Sequence, residues 1–294
     1  MTTACAPETS ASALKDHLAL AKPRITLLVA LCAAAGYALA SRGPLDWARL
    51  AWTAVGVALA SASTGCLNQV FEAEHDARME RTRRRPVPAG RVRPAVAHIL
   101  GVSWGAAGLA VLAWKVNAPA CGLTAFTLAS YLVVYTPMKR WSPLSTWVGA
   151  VPGALPPVIG WAAAGGRLDA GAAALFAIQF LWQMPHFLAL AWLYREDYAR
   201  GGYRVYPVVD PSGASTAWQM AATSGLLLAA AAAPYALGMA GPVYLAGASA
   251  CGAAFFLASL AAARGLELRS ARRVFLASLA YLPAVLALLV LDKR

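Results

Sequence analysis

Charged residues are absent from eight stretches of the chain, 25–41, 50–71, 94–114, 116–138, 141–166, 170–194, 211–263 and 274–291. Within each stretch the apolar run is continuous rather than alternating, which predicts helices and excludes a strand barrel. A span needs about 20 mostly apolar residues. Seven stretches are therefore one helix long. The stretch 211–263 holds two, with Gly238, Gly241 and Pro242 supplying the turn. The pattern predicts an all-α integral membrane protein with nine transmembrane helices.

Composition agrees with the pattern. Hydrophobic residues make up 60% of the 294 positions and charged residues 13%, with a mean hydropathy of +0.56. A soluble domain carries about 25% charge, so a water-soluble globule is excluded. The five cysteines (Cys5, Cys32, Cys66, Cys121, Cys251) are scattered without a CxxC pair, so neither a disulfide framework nor a zinc site is expected.

The 25 Lys and Arg residues orient the bundle. With the N-terminus in the cytoplasm, nineteen fall on inner segments and six on outer ones, a strong positive-inside asymmetry that puts the C-terminus outside. The net charge of +12 thus reflects topology and an anionic partner at one face rather than nucleic acid. Residues 1–24 are expected to be a cytoplasmic tail, without a cleavable signal, and residues 25–294 a single membrane domain. The absence of an evident transit peptide points to a bacterial inner (plasma) membrane.

Only 13 acids are present, and two clusters of them stand out. Glu72, Glu74, Asp76 and Glu80 lie just past the second span, and Glu196 and Asp197 just past the sixth, both on the arginine-rich side. Asn68, Glu72 and Asp76 are spaced four apart, so a helix continuing out of the span stacks them on one face. Their mutual repulsion is relieved either by a divalent cation such as Mg²⁺, which suits hard oxygen donors, or by pairing with Arg78, Arg83 and Arg84 on a solvated helix. Spacing alone leaves both open. Five arginines follow between positions 78 and 85, an arrangement suited to a diphosphate bridged by metal and held by guanidinium groups. Lys139 and Arg140 can add charge from the next inner loop. Some of the arginines, Arg83 and Arg84 first, can equally fix topology or touch anionic lipid. His186 lies inside an apolar span, where an ionisable group is a functional candidate, and His98 reads as structural. Gly101/Gly105 and Gly149/Gly153 have the spacing of close helix packing.

The run Asn68-x3-Glu72-x3-Asp76-x2-Met79-x-Arg81-Thr82-x2-Arg85-Pro86-x-Pro88-x-Gly90 resembles the first acid-rich motif of the UbiA-type intramembrane prenyltransferases. Its arginine–proline tail is similar to that of the protohaem IX farnesyltransferase branch. Two further blocks agree. One runs from Tyr135 to Arg140 and on through Gly149–Pro157 to Gly160 and Trp161. The other is Trp182-Gln183-Met184-Pro185-His186-Phe187, followed by Tyr194-Arg195-Glu196-Asp197-Tyr198. Glu72 stands where the wider superfamily has Asp, and Tyr194 and Tyr198 replace aspartates of its second acidic motif.

The resemblance implies farnesyl transfer from farnesyl diphosphate to haem B at the cytoplasmic side of the bundle. It also implies Mg²⁺ on Asn68, Glu72 and Asp76, with Asp197 on a second ion. Arg81, Arg85, Lys139 and Arg140 would hold the diphosphate, His186 would face the haem, and a haem A-forming enzyme is an expected partner. Three other readings compete. In the first, the acceptor is a quinone precursor or other aromatic. A transporter would carry its acids at mid-membrane depth, and a non-catalytic haem carrier would use His98 and His186 as ligands.

Overall fold

The computed structural model describes residues 10–165 and 167–294; Cys5 and Glu8 lie outside them. Regular structure among the described residues is helical. A short helix α1 (Ser10–Leu20) precedes α2 (Pro23–Ala40) and α3 (Trp47–Phe71), and a stub α4 (Ala73–Ala77) leads through an arginine-rich loop to α5 (Pro94–Lys115). The next helix runs from Ala118 to Met138 as α6 (Ala118–Ala129), a π-helical stretch (Ser130–Tyr135) and α7 (Thr136–Met138). Then come α8 (Ser145–Gly153), α9 (Pro156–Ala163), α10 (Ala170–Leu193), the short α11 (Arg195–Arg200) and α12 (Tyr206–Val209), and finally α13 (Ala214–Ala236), α14 (Pro242–Ala263) and α15 (Leu268–Leu291).

Seven of these helical segments are long and apolar enough to cross a membrane. The other two expected spans differ in instructive ways. The fifth is broken into α8 and α9, because Pro156 and Pro157 cannot donate to the preceding turn and Pro156 starts a new helix instead. The segment α13 is 23 residues long, but its first turns carry Ser215, Thr216, Gln219, Thr223 and Ser224, which lower its hydropathy.

Local chemistry sets the ends. Asp46 caps α3 through the Arg49 N–H, and Asp169 caps α10 through Gly171 and Ala172. Asn117 accepts from the Ala120 N–H while its amide donates to Ala162 O at 2.8 Å, fastening the start of α6 to the end of α9. Buried hydroxyls return their protons to their own helix, as Ser224 does to Met220 O at 2.7 Å. Without water to bond, they have few other outlets.

Around the bundle α3 packs on α5, α2 on α9, α10 on α13 and α15, and α14 on α13 and α15. The last helix returns to the first long one, where Lys293 Nζ donates to Ala38 O at 2.7 Å. The tightest contact joins α2 and α9. A Cβ on Gly160 would lie 1.8 Å from Ala33 O, and one on Gly36 would lie 1.9 Å from Pro157 O. Both glycine pairs singled out in the sequence are also contact points. Gly101 and Gly105 meet Leu67 and Ser63 of α3, while Gly149 meets Tyr135 and Gly153 meets Gln183. The described cysteines are free, with Cys32 and Cys66 buried.

Candidate active site

At one end of the bundle the chain brings three connecting loops together. The helix of the second span does not run on through the acids as the spacing predicts. It stops at Glu72, whose φ and ψ of −107° and 8° interrupt it before α4 resumes. The four-residue stacking nevertheless survives, because the Glu72 N–H donates to Asn68 O at 3.0 Å and the Asp76 N–H to Glu72 O at 2.7 Å. Asn68, Glu72 and Asp76 are all at most 3% exposed.

Their partners are not the arginines expected of a solvated helix. Arg85 Nη1 lies 2.6 Å from Asp76 Oδ2, and Lys139 forms an ion pair with Glu72. Arg140 Nη2 donates to Phe71 O at 2.9 Å. By contrast Arg83 pairs with Glu80 at the surface, and Arg84 is exposed. Burial disfavours the Glu72 charge, yet Lys139, Lys22 and the Asn68 amide outweigh it and hold the carboxyl below its ordinary range. Burial opposes the Lys139 charge in the same way, and Glu72 outweighs it and holds the ammonium above its ordinary value.

Lys22 was not among the residues the sequence singled out for this site. It sits at the start of α2 with φ 47° and ψ 61°, and it is the one non-glycine residue of positive φ among those described. Pro23 disfavours the right-handed helical region for the residue before it. The left-handed turn that results costs about 1–2 kcal/mol and carries the ammonium inward to 3.5 Å from Asn68 Oδ1. Burial, and next the charge of Arg85, lowers its pKa to about 7. The sequence signal was a Lys-Pro pair at the mouth of a span.

The π-helical stretch sets the aromatic wall of the site. Pro137 has no N–H for the turn behind it, and Thr136 Oγ1 donates to Tyr131 O at 2.9 Å. Tyr131 and Tyr135 are thereby brought to 4.8 Å between ring centroids. Lys139 Nζ lies 4.7 Å from the Tyr135 ring centre and 5.6 Å from that of Tyr203, within the range of cation–π attraction.

Asp197 has different partners from the first acidic trio. Its two oxygens accept from the backbone N–H groups of Glu80 (2.9 Å) and Arg81 (3.0 Å), and Arg200 pairs with it as well. Burial works against its charge, but the Arg81 N–H, Arg200 and the Glu80 N–H hold the carboxyl below its usual range. His75 Nδ1 donates to Gly201 O at 2.7 Å, and the Arg204 N–H donates to Lys139 O at 2.8 Å. These bonds latch the loop after α10 onto both other loops. Arg81 is left facing the rings of Tyr194 (5.3 Å) and Tyr198 (5.8 Å), beside a cavity of about 540 Å³ that Arg195 and Leu268 also line. His186 lies deeper, on α10, while His98 is exposed near Phe71.

The UbiA prenyltransferase family profile matches residues 29–282, nearly all of the bundle. The chain belongs to the UbiA prenyltransferase family. Among its UbiA relatives, the protohaem IX farnesyltransferase of Solibacter usitatus is 43% identical over 289 residues, covering 95% of this chain and 99% of that one. The enzyme of that name from Salinibacter ruber is 44% identical over 279 residues, with the same coverages. The human mitochondrial one is 41% identical over 285 residues, which are 94% of this chain and 61% of that protein. Solved structures share the fold at lower identity. A digeranylgeranylglyceryl phosphate synthase superposes with a TM-score of 0.80 at 18% identity, covering 95% of this chain and 98% of the other. A UbiA homologue from Archaeoglobus fulgidus, bound to GPP and Mg²⁺, superposes with a TM-score of 0.68 at 15% identity, covering 93% and 99%.

Proposed function

We propose that this chain transfers a farnesyl group from farnesyl diphosphate to the 2-vinyl group of haem B, with addition of water, to give haem O. The observation that carries the reading is the charge balance of the buried cluster. Lys22, Arg85, Lys139 and Arg140 gather around only two carboxylates, Glu72 and Asp76. A pocket so short of negative charge suits a diphosphate. The haem acceptor is supported by the relatives named above, which match almost the whole chain.

The donor set also fits Mg²⁺. Asn68, Glu72 and Asp76 offer hard oxygens, and Arg140 Nε is buried without a hydrogen-bond partner, as expected where an anionic ligand completes the site. Mg²⁺ is characteristically held by one or two carboxylates plus substrate phosphates. When bound it neutralises charge on the departing diphosphate. Both oxygens of Asp197 already accept from the Glu80 and Arg81 N–H groups, with Arg200 on one of them, so its contacts suit it better to positioning Arg81 than to holding a second ion.

The protein's own residues then act as follows. The allylic C1–O bond breaks with its electron pair going to the diphosphate, and Arg85, Lys139, Arg140 and Lys22 balance that charge, with Arg81 adding to it from the Tyr194 side. The apolar helices keep water from the allylic cation. The vinyl π pair bonds to C1, and the cation formed beside the porphyrin takes the oxygen of one water, whose proton is released. His186 faces the haem.

In the membrane the nine apolar segments form a single domain over residues 25–294. The N-terminal tail and the active site lie on the cytoplasmic side of a bacterial inner membrane, and the C-terminus lies outside. The haem O formed passes to a haem A-forming enzyme. Expression in a bacterium deprived of its own haem-farnesylating enzyme tests this. Haem O should return to the extracted haems. Prenylated quinone precursor without haem O would overturn the acceptor.

A further inference from the structure

The seam between α10 and α15 holds an ionisable group that the diphosphate site does not use. His186 on α10 is stacked between Trp182, at 5.2 Å and 20°, and Phe275 of α15, at 5.0 Å and 26°. Its Nδ1 lies 2.7 Å from Ser278 Oγ. Either atom of that pair could in principle donate, and the neighbouring contacts decide between them. Ser278 Oγ also lies 2.5 Å from Phe275 O, a carbonyl that can only accept, so the single hydroxyl proton goes there. The imidazole is therefore the donor. Its proton is on Nδ1, and Nε2 keeps a free lone pair. Ser278 is itself held in place, because its carbonyl accepts from Trp182 Nε1 at 2.7 Å.

A neutral imidazole that donates from one nitrogen and is bare at the other is the form that binds metals, and the donated hydrogen bond both aims the ring and raises its basicity. With the opposite tautomer the lone pair would point at Ser278 and be unusable. The ring is half-buried, beside the 41% exposed Phe187, so it is not sealed in the core. At its loop end the seam opens toward the cavity lined by Arg81, Tyr194, Arg195 and Leu268. Tyr194 is about 12 Å along the helix from His186. A nitrogen ligand flanked by aromatic rings, with cations at the loop end of the same seam, suits an iron porphyrin, which has an apolar ring, a metal centre and carboxylates along one edge.

We propose that Ser278 is a positioning residue for the acceptor: it fixes the Nδ1–H tautomer of His186, so that Nε2 takes the iron of haem bound along the α10–α15 seam. The inference rests on the haem reading above and adds to it the residue that selects the ligand nitrogen.

The test titrates purified protein in detergent with ferric haem B, without farnesyl diphosphate, following the Soret band and the iron spin state. Farnesyl diphosphate binding serves as the fold control for every variant. Wild-type protein should show an imidazole-ligated iron. Ser278→Ala should weaken haem binding roughly 10-fold and alter the spectrum, Ser278→Thr should restore both, and His186→Ala should abolish the imidazole signature. Wild-type affinity and spectrum in Ser278→Ala, or an imidazole signature surviving in His186→Ala, would overturn the proposal while leaving the acceptor reading intact. A wild-type protein that binds farnesyl diphosphate and prenylates another acceptor, but takes up no haem, overturns both.

Discussion

Asp76 and Arg83 lie seven residues apart in one loop region, yet their surroundings assign them opposite importance. Asp76 is 1% exposed and bonded to Arg85, so its removal strips an oxygen donor from the site and leaves a half-buried guanidinium without its counter-ion. Asp76→Ala should reduce prenyl transfer by more than about 100-fold in protein that still inserts in the membrane, measured as haem product formed per unit of membrane-extracted protein. Arg83 makes an exposed pair with Glu80, and such pairs contribute about 0–1 kcal/mol. Arg83→Ala should therefore keep transfer within about twofold of wild type. Full turnover in Asp76→Ala would remove the metal assignment to Asn68, Glu72 and Asp76, and a large loss in Arg83→Ala would mean that the arginines are wrongly sorted between site and surface.

Much of this site was legible because charge is scarce in a membrane chain. Asn68, Glu72 and Asp76 stand out by spacing, and Lys139 and Arg140 by lying on the same side of the membrane. Lys22 was not legible, since its inward turn depends on a left-handed backbone and on burial against Gly65. Ser278 was not legible either. A serine in an apolar helix carries no periodic signal, and its meaning arises only where α15 meets His186.

At the scale of elements, charge-free apolar runs placed the long helices, while their interruptions came from contacts and prolines that a smooth apolar pattern hides. The break between α8 and α9 lets α9 press its Gly160 onto the backbone of α2. A side chain there must push two helices apart, and overpacking of this kind typically costs about 1–3 kcal/mol or more. Gly160→Val should lower the thermal inactivation temperature by several degrees in detergent, read by loss of monodisperse protein on heating. Unchanged stability would show that α2 and α9 do not make so close a contact. The stop of α3 at Glu72 was equally hidden, because the four-residue spacing is preserved across it by backbone hydrogen bonds.

For the molecule as a whole, lipid and chemistry share one design. The helices present apolar surface outward, as Trp114, Phe126 and Leu257 do, and gather nearly all the buried charge at one end, where three loops are latched by Asp197, His75 and Arg204. A dry bundle beneath a cationic pocket is what ionisation of an allylic diphosphate requires. The most direct measurement supplies purified protein with haem B, farnesyl diphosphate and Mg²⁺ and weighs the haem products by mass spectrometry. Metal-assisted farnesylation of haem B should give a haem heavier by one farnesyl group and one water, lost when a chelator is added. Diphosphate release with haem B unchanged, or haem product undiminished by the chelator, would contradict it.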